Sequence, residues 1–258
     1  MSDDLTTPGG KLRLFVEAGL GEGVRFMPDE AQAHYLLHVM RAKAGDRLSL
    51  FNGHDGEWLA RVVDVAKRTC ALECERRTAP QSDVPDLWLV FAPIKKTPSD
   101  FLAQKATELG VRVLQPVTTR RTIVARVNRE RMRANAVEAA EQSGRLSVPE
   151  VREAAALDKL LDTWPAERRL LFCDEGAATA RCPEQAPPIA QALRAAPEGP
   201  WAVITGPEGG FDPAERTALR ALPFVVPVSL GQRILRADTA TLAALAVWQA
   251  VKGDWSQK

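Results

Sequence analysis

Val203-Ile204-Thr205-Gly206-Pro207-Glu208-Gly209-Gly210-Phe211-Asp212-Pro213-Ala214-Glu215, echoed at Leu230-Gly231-Gln232-Arg233-Ile234-Leu235-Arg236-Ala237-Asp238-Thr239-Ala240, decides how this chain folds. Each half runs from an apolar stretch through a glycine-containing polar turn into a helix-forming segment. Trp201 to Thr205 has the composition of a strand buried on both faces. Gly206, Gly209 and Gly210 permit positive φ or close backbone approach to a ligand. Asp212, Pro213 and Glu215 then read as N-cap, N1 and N3 of a helix, an acidic capping box. In the echo, Val225 to Leu230 is a second strand, Gly231 opens the turn, and Asp238 or Thr239 is the expected cap of a helix running through Trp248. If the two strands are sheet neighbours, their loops share a crevice at the strands' carboxyl ends, where open α/β sheets bind ligands. Neither loop is a familiar phosphate cradle, because G-x-x-x-x-G-K-[ST] and G-x-G-x-x-G are both absent.

The preceding chain divides by pattern. Residues 12 to about 78 read as a small β-rich unit with strands at Leu12 to Val16, Val24 to Met27, Arg47 to Phe51, Glu57 to Val65 and Thr69 to Glu75. One helix, from about Asp29 to Arg41, interrupts them. From Leu87 onward strands and helices alternate, which predicts a mostly parallel sheet. The strands are Leu87 to Ala92, Val111 to Val117 and Leu170 to Asp174. The helices include one that follows Thr97-Pro98-Ser99-Asp100 and ends at Gly110, and Arg129 to Gln142. The expected domains are 1–80, a linker at 81–86, and 87–258.

At 258 residues with 45% hydrophobic content, the chain can bury a sizeable core. No signal peptide or membrane span is expected, since Met1 to Gly10 is polar and no apolar run nears about 18 residues. Four cysteines are too few for a disulfide scaffold, so a reducing, cytoplasmic setting is expected. Net charge is only +1, but residues 91–150 carry 11 basic and 6 acidic side chains, a local excess suited to nucleic acid. His34 and His38 have i, i+4 spacing, yet Cys70 and Cys74 would lie about 13 Å apart on a strand, too far to share a metal. No metal site is expected, and His34 is expected either to pack or hydrogen-bond within the small domain or to be exposed toward RNA. Cys173 and Cys182 have no nearby histidine base and no G-x-S-x-G elbow is present, so hydrolase chemistry has no support.

The paired motifs G-P-E-G-G-F-x-x-x-E and L-G-x-R-I-L-R-x-[ED]-T-A resemble the signature of the RsmE family, the 16S ribosomal RNA uridine-N3 methyltransferases of the SPOUT (α/β-knot) superfamily. Lys105-Ala106-Thr107-Glu108-Leu109-Gly110-Val111, Glu141-Gln142-Ser143-x-Arg145, and His34-Tyr35-Leu36 with Val39-Met40-Arg41 extend the similarity over nearly the whole chain. Ala237-Asp238 stands where the family usually has Thr-Glu. The resemblance implies an N-terminal PUA-like β-barrel that binds RNA and a C-terminal α/β domain with a deep trefoil knot. It further implies S-adenosylmethionine as methyl donor, 16S rRNA of the small ribosomal subunit as substrate (uridine 1498 in standard rRNA numbering), and a homodimer packed through the knotted domains.

On that resemblance, Thr205, Gly206, Pro207, Glu208, Gly209, Gly210, Leu230, Gly231, Ile234, Leu235 and Arg236 would hold the donor. Arg236 is the candidate catalytic cation, because loss of the uridine N3 proton spreads negative charge over O2 and O4 that a guanidinium stabilises. Its structural alternative is a bridge to Glu208 or Asp238. Glu208 is a candidate base or partner of the sulfonium, and alternatively a loop-fixing acceptor. Arg41, Lys95, Lys96, Arg120, Arg121 and Arg145 are candidate RNA contacts. The competing readings are a ribose 2′-O-methyltransferase of the same superfamily and a non-catalytic RNA-binding assembly factor. The helix from Thr239 to Val251 is either an interface or a core helix.

Overall fold

Alternation of apolar and polar residues builds the first sheet. β1 (Arg13–Phe15) pairs in parallel with β3 (Arg47–Phe51), which pairs antiparallel with β4 (Glu57–Val63); β4 pairs with β5 (Ala71–Ala79), and β5 with β2 (Arg25–Phe26). The protein is described by a computed structural model covering residues 12–94, 96–123, 127–174 and 186–256, without the side chains of residues 96–98. Lys95 and Cys182 lie outside the described residues, as do the side chains of Lys96, Thr97 and Pro98. The chain separates into two units: residues 12–83 with Ala140–Val148, and Val84–Ala139 with Pro149 onward. The segment Ala140–Val148 therefore packs with the first unit, although its sequence position suggested the second.

In the first unit the expected barrel is a curled five-stranded sheet, with hydrogen-bonded order β1-β3-β4-β5-β2. Its core gathers Leu14, Leu36, Leu48, Leu50, Ala60, Val62 and Leu72, alternate residues of the strands plus one helical leucine. β5 extends to Ala79 because its polar second half stays paired with β4, where two register shifts absorb the twist. The predicted helix splits. α1 (Glu30–His34) begins at a capping box between Asp29 and Gln32, then widens into a π turn at Tyr35–Val39, closed by Met40 N–H donating to Tyr35 O at 2.9 Å. Arg41, at φ 55°, ends it in the left-handed region.

The first unit also buries an ion pair. Arg13 Nε donates to Glu57 Oε1 at 2.7 Å, and its other nitrogens reach the carbonyls of Ala140, Glu141 and Arg145 at 2.9 to 3.1 Å. The first two carbonyls belong to the last turn of α3 (Arg129–Ser143), so a guanidinium satisfies orphan acceptors at the negative end of a helix.

The second unit is a parallel sheet in the order β12-β10-β11-β6-β7-β8, with β9 (Ala155–Ala156) on the end of β7. The strands are β6 (Leu87–Phe91), β7 (Val113–Thr118), β8 (Glu150–Val151), β10 (Arg169–Cys173), β11 (Trp201–Thr205) and β12 (Val225–Val228). Successive residues of the near-continuous apolar strands feed opposite faces. Leu87, Leu89, Leu171, Trp201 and Val203 enter one core, and Val90, Leu170, Phe172, Ala202 and Ile204 the other. α2 (Lys96–Glu108), α5 (Ile189–Ala195) and α7 (Ala237–Val251) contribute to the first of these cores, while α4 (Leu157–Asp162) and α6 (Pro213–Ala221) contribute to the second. α7 buries Thr241, Ala244, Leu245, Trp248 and Gln249, which makes this face a core face.

Glu57→Ala strands the Arg13 guanidinium without its counter-ion. It is expected to lower the stability of the first unit by about 3 kcal/mol, measured as a shifted urea midpoint; an unchanged midpoint would show the pair to be dispensable.

Candidate donor-binding crevice

Three parallel strands end side by side, and their carboxyl ends make the site. β11 and β12 are not sheet neighbours, the condition under which the motifs placed their loops together; β10 lies between them, paired to both. The crevice is shared nonetheless, because the loops after β11 and β12 converge over the end of β10. A cavity of about 470 Å³ is lined by Thr205, Gly206, Pro207, Glu208, Leu230, Gly231, Ile234, Leu235 and Arg236, as proposed from the motifs. It also takes in Ile94, Cys173, Asp174, Phe211, Arg233, Ala237, Asp238 and Ala240, which the motifs did not single out. Arg233 was within the quoted motif and could have been read from it. Cys173 and Asp174 carry no local signal and are found only through the strand order.

Gly209 and Gly210 do not line the cavity. Gly210, at φ 67°, donates from its N–H to Pro207 O at 2.9 Å, closing a tight turn. Gly209 offers its carbonyl outward, where Arg121 Nη1 donates to it at 2.9 Å. Gly206 is required for packing, since a Cβ there would sit 2.9 Å from the Phe211 ring.

Buried hydroxyls join the two loops. Thr241 Oγ1 donates to Ala237 O at 2.7 Å, so the 2.9 Å contact between Thr205 Oγ1 and Thr241 Oγ1 carries the Thr205 proton. This bond ties the end of β11 to the first turn of α7. The expected caps of α7 do not cap it: the helix starts at Ala237 with Arg236 at the N-cap, and Asp238 Oδ1 accepts instead from Thr239 N–H at 2.8 Å. Asp212 and Glu215 do form the predicted capping box of α6, with Pro213 at its first position.

Asp174 is the charged anchor of the crevice. Its buried carboxylate accepts from Arg216 Nε at 2.6 Å and Arg220 Nε at 2.8 Å. Burial alone would raise its pKa, but the two guanidinium hydrogen bonds and their charges outweigh it and hold the group below the ordinary aspartate value. Burial pushes the neighbouring Cys173 thiol up to about 12, leaving it unsuited to act as a thiolate nucleophile. The Arg236 side chain is exposed on the rim and its guanidinium makes no hydrogen bond or ion pair among the described residues, so the bridge to Glu208 or Asp238 is not formed. Ile234 is 71% exposed beside it.

The sequence matches the family described as RNA methyltransferase domain over residues 80–249 and the one described as RNA methyltransferase PUA domain over residues 28–73. The ribosomal RNA small subunit methyltransferase E of Rickettsia conorii is 30% identical over 235 residues, covering 91% of this chain and 93% of that protein. The chain belongs to the small-subunit methyltransferase E family. The Synechocystis member is 33% identical over 222 residues, covering 84% of this chain and 70% of the relative. A crystal structure of the Neisseria gonorrhoeae member bound to S-adenosyl methionine superposes with a TM-score of 0.80 at 29% identity, over 95% of this chain and 99% of that one.

Measured against that ligand, the crevice fits. Pro207, Phe211, Leu230, Ile234 and Leu235 would give an adenine ring apolar surface, and Glu208 and Asp238 would offer carboxylates to a cationic sulfonium or amine.

The other proposed residues are dispersed. Arg120 and Arg121 follow β7 in the second unit, and their polar groups engage the loop from Gly209 to Glu215. Arg41 and Arg145 belong to the first unit, Arg145 Nε donating to Ser147 Oγ at 3.2 Å. His34 is exposed, the second of its two expected placements, its ring 4.8 Å from that of His38. Among the described residues no group of three or more histidine, cysteine or acidic side chains could hold a metal ion, and Cys70 and Cys74 are buried free thiols.

Because the folded pKa of Asp174 lies below its unfolded value, its contribution is fully present above the ordinary aspartate range and is lost as pH falls through the depressed value. Asp174→Asn is expected to cost about 3 kcal/mol at neutral pH and to flatten the acid limb of a stability-against-pH curve in that window. An acid limb identical to that of the unsubstituted protein would remove Asp174 as its source.

Proposed function

We propose that this protein transfers a methyl group from S-adenosylmethionine to N3 of a uridine in 16S ribosomal RNA of the small subunit, the family target being uridine 1498. The supporting observation is a crevice with an apolar floor and an unpaired guanidinium, Arg236, at its rim, in a chain of this family. S-adenosylmethionine supplies an electrophilic methyl on sulfur. The N3–H bond and the sulfur–methyl bond break, the N3–methyl bond forms, and a proton and S-adenosylhomocysteine leave.

The chain's own residues have separable parts in this reading. Thr205 to Glu208 and Leu230 to Arg236 bind the donor, with Leu230, Ile234 and Leu235 against the adenine. Arg236 faces the pyrimidine and stabilises the anion that spreads over O2 and O4 once N3 is deprotonated. Glu208 stands beside the sulfonium as its electrostatic partner or takes the N3 proton. Arg41 and Arg145, with Lys95 and Lys96, are proposed as phosphate contacts, since such cations position RNA without reading its sequence. A deep trefoil knot, a homodimer formed through the second unit and a cytoplasmic location complete the proposal. Among the described residues no helix is long and apolar enough to cross a membrane.

Incubation with labelled S-adenosylmethionine and small subunits lacking the modification, followed by nucleoside mass spectrometry, is expected to yield 3-methyluridine. A 2′-O-methyl nucleoside would displace the N3 assignment, and no transfer to subunits, naked rRNA or precursor rRNA would favour a binding factor. Arg236→Ala is expected to lower the methylation rate about 10²- to 10³-fold, with donor binding weakened by no more than the loss of one contact and still measurable by calorimetry. Loss of subunit binding alone would count against its catalytic role.

A further inference from the structure

The geometry points to Arg121, with Arg120 beside it, as a positioning residue for the donor loop; this rests on the donor-binding reading above. The loop Gly206–Gly210 contains three glycines in five residues, so its unfolded freedom is large and its ordering must come from outside. Its internal turn, Gly210 N–H to Pro207 O, sets its curvature but not its orientation. The orientation comes from the turn after β7. Arg121 Nη1 donates to Gly209 O at 2.9 Å, and the stem of Arg121 would lie 3.7 Å from a Cβ at Gly209, so the guanidinium and the chain behind it cover that peptide.

Next to it, Arg120 N–H donates to Glu215 Oε1 at 2.8 Å and Arg120 Nη1 to Asp212 Oδ1 at 3.2 Å. Those two carboxylates are the capping box that starts α6, so one dipeptide holds both the outer face of the glycine turn and the helix that follows it. The presenting turn is itself stiff. Thr119 N–H and Thr119 Oγ1 meet Thr122 Oγ1 at 2.8 and 2.9 Å, and Thr122 N–H donates to Thr119 O at 3.1 Å.

Pro207 and Glu208 line the crevice on the inner side of the same turn, while Arg121 grips its outer side. Fixing Gly209 O therefore fixes the facing of Glu208 and Pro207 before ligand arrives, and preorganisation of this kind shows as donor affinity. These two arginines had the sequence signature of RNA contacts. Their hydrogen bonds give them to the donor side instead.

The discriminating experiment measures S-adenosylmethionine binding by calorimetry and small-subunit binding against salt, for the full chain and for Arg121→Ala, Arg121→Lys and Arg120→Ala. If the unsubstituted chain binds no donor, the donor-site reading itself fails. Given that it binds, Arg121→Ala is expected to weaken donor binding about tenfold, with an unchanged melting temperature, an unchanged rRNA salt slope and partial recovery in Arg121→Lys. Arg120→Ala is expected to have a smaller effect, because its main-chain bond to Glu215 survives. Donor affinity within twofold of the unsubstituted chain, or a salt slope reduced by about one with donor binding intact, would overturn the inference and return Arg121 to the RNA surface.

Discussion

The hydrogen bond between Thr205 and Thr241 is the contact on which the site depends. It joins the end of the central strand β11 to the first turn of α7, and both threonines are buried, so losing either partner would leave the other hydroxyl poorly satisfied. Thr205 is the last residue before the glycine turn, and Thr241 is one turn into the helix that Arg236 begins. One buried bond thus sets the spacing between the loop carrying Glu208 and the loop carrying Arg236. With the Thr241 proton on Ala237 O, the proton shared between the two threonines is that of Thr205.

That spacing is held laterally by charge. Asp174 at the end of β10 lies between the two loops and draws Arg216 and Arg220 of α6 against the strand ends. The capping box at Asp212 and Glu215 starts the same helix, so α6 is fixed at its beginning by its own cap and along its length by the strand it packs over. The crevice is consequently shaped by groups from β10, β11, β12, α6 and α7, and the only apolar side chain left largely bare among its lining residues is Ile234.

How much of this was legible varied with how local the determinant was. Strands β3 and β11 and the cap of α6 follow from contiguous patterns, and all three have the bounds that the residues suggested. Gly110 likewise ends its helix at φ 74° because a single residue type satisfies that backbone. What failed was non-local or without pattern. The position of β10 between β11 and β12 depends on chain routing, which no window of sequence contains, and it hid Asp174 and Cys173 from the site. The short elements β8, β9, α4 and α5 lack enough residues to show a period. The cap of α7 was misplaced by two or three residues because Asp238 and Thr239 are good caps in isolation, whereas the bond to Ala237 carries the helix back to that residue.

The start of α7 also bears on what Arg236 is for. A helix N-terminus carries partial positive charge, and a cation there is unfavourable by about 0.3 to 1 kcal/mol. An asparagine, aspartate, serine or threonine at the same position would instead donate a side-chain acceptor to the orphan amides. Arg236 supplies no such acceptor, and no ion pair among the described residues offsets its charge. The contrast with α6 is internal to the molecule, since that helix begins with an aspartate, a proline and a reciprocal glutamate. Within one domain, then, one helix start is built for stability and the other sets local stability against a cation that lines the crevice. A local rule broken at a site, in a chain that obeys it nearby, is the pattern expected of a residue kept for ligand chemistry.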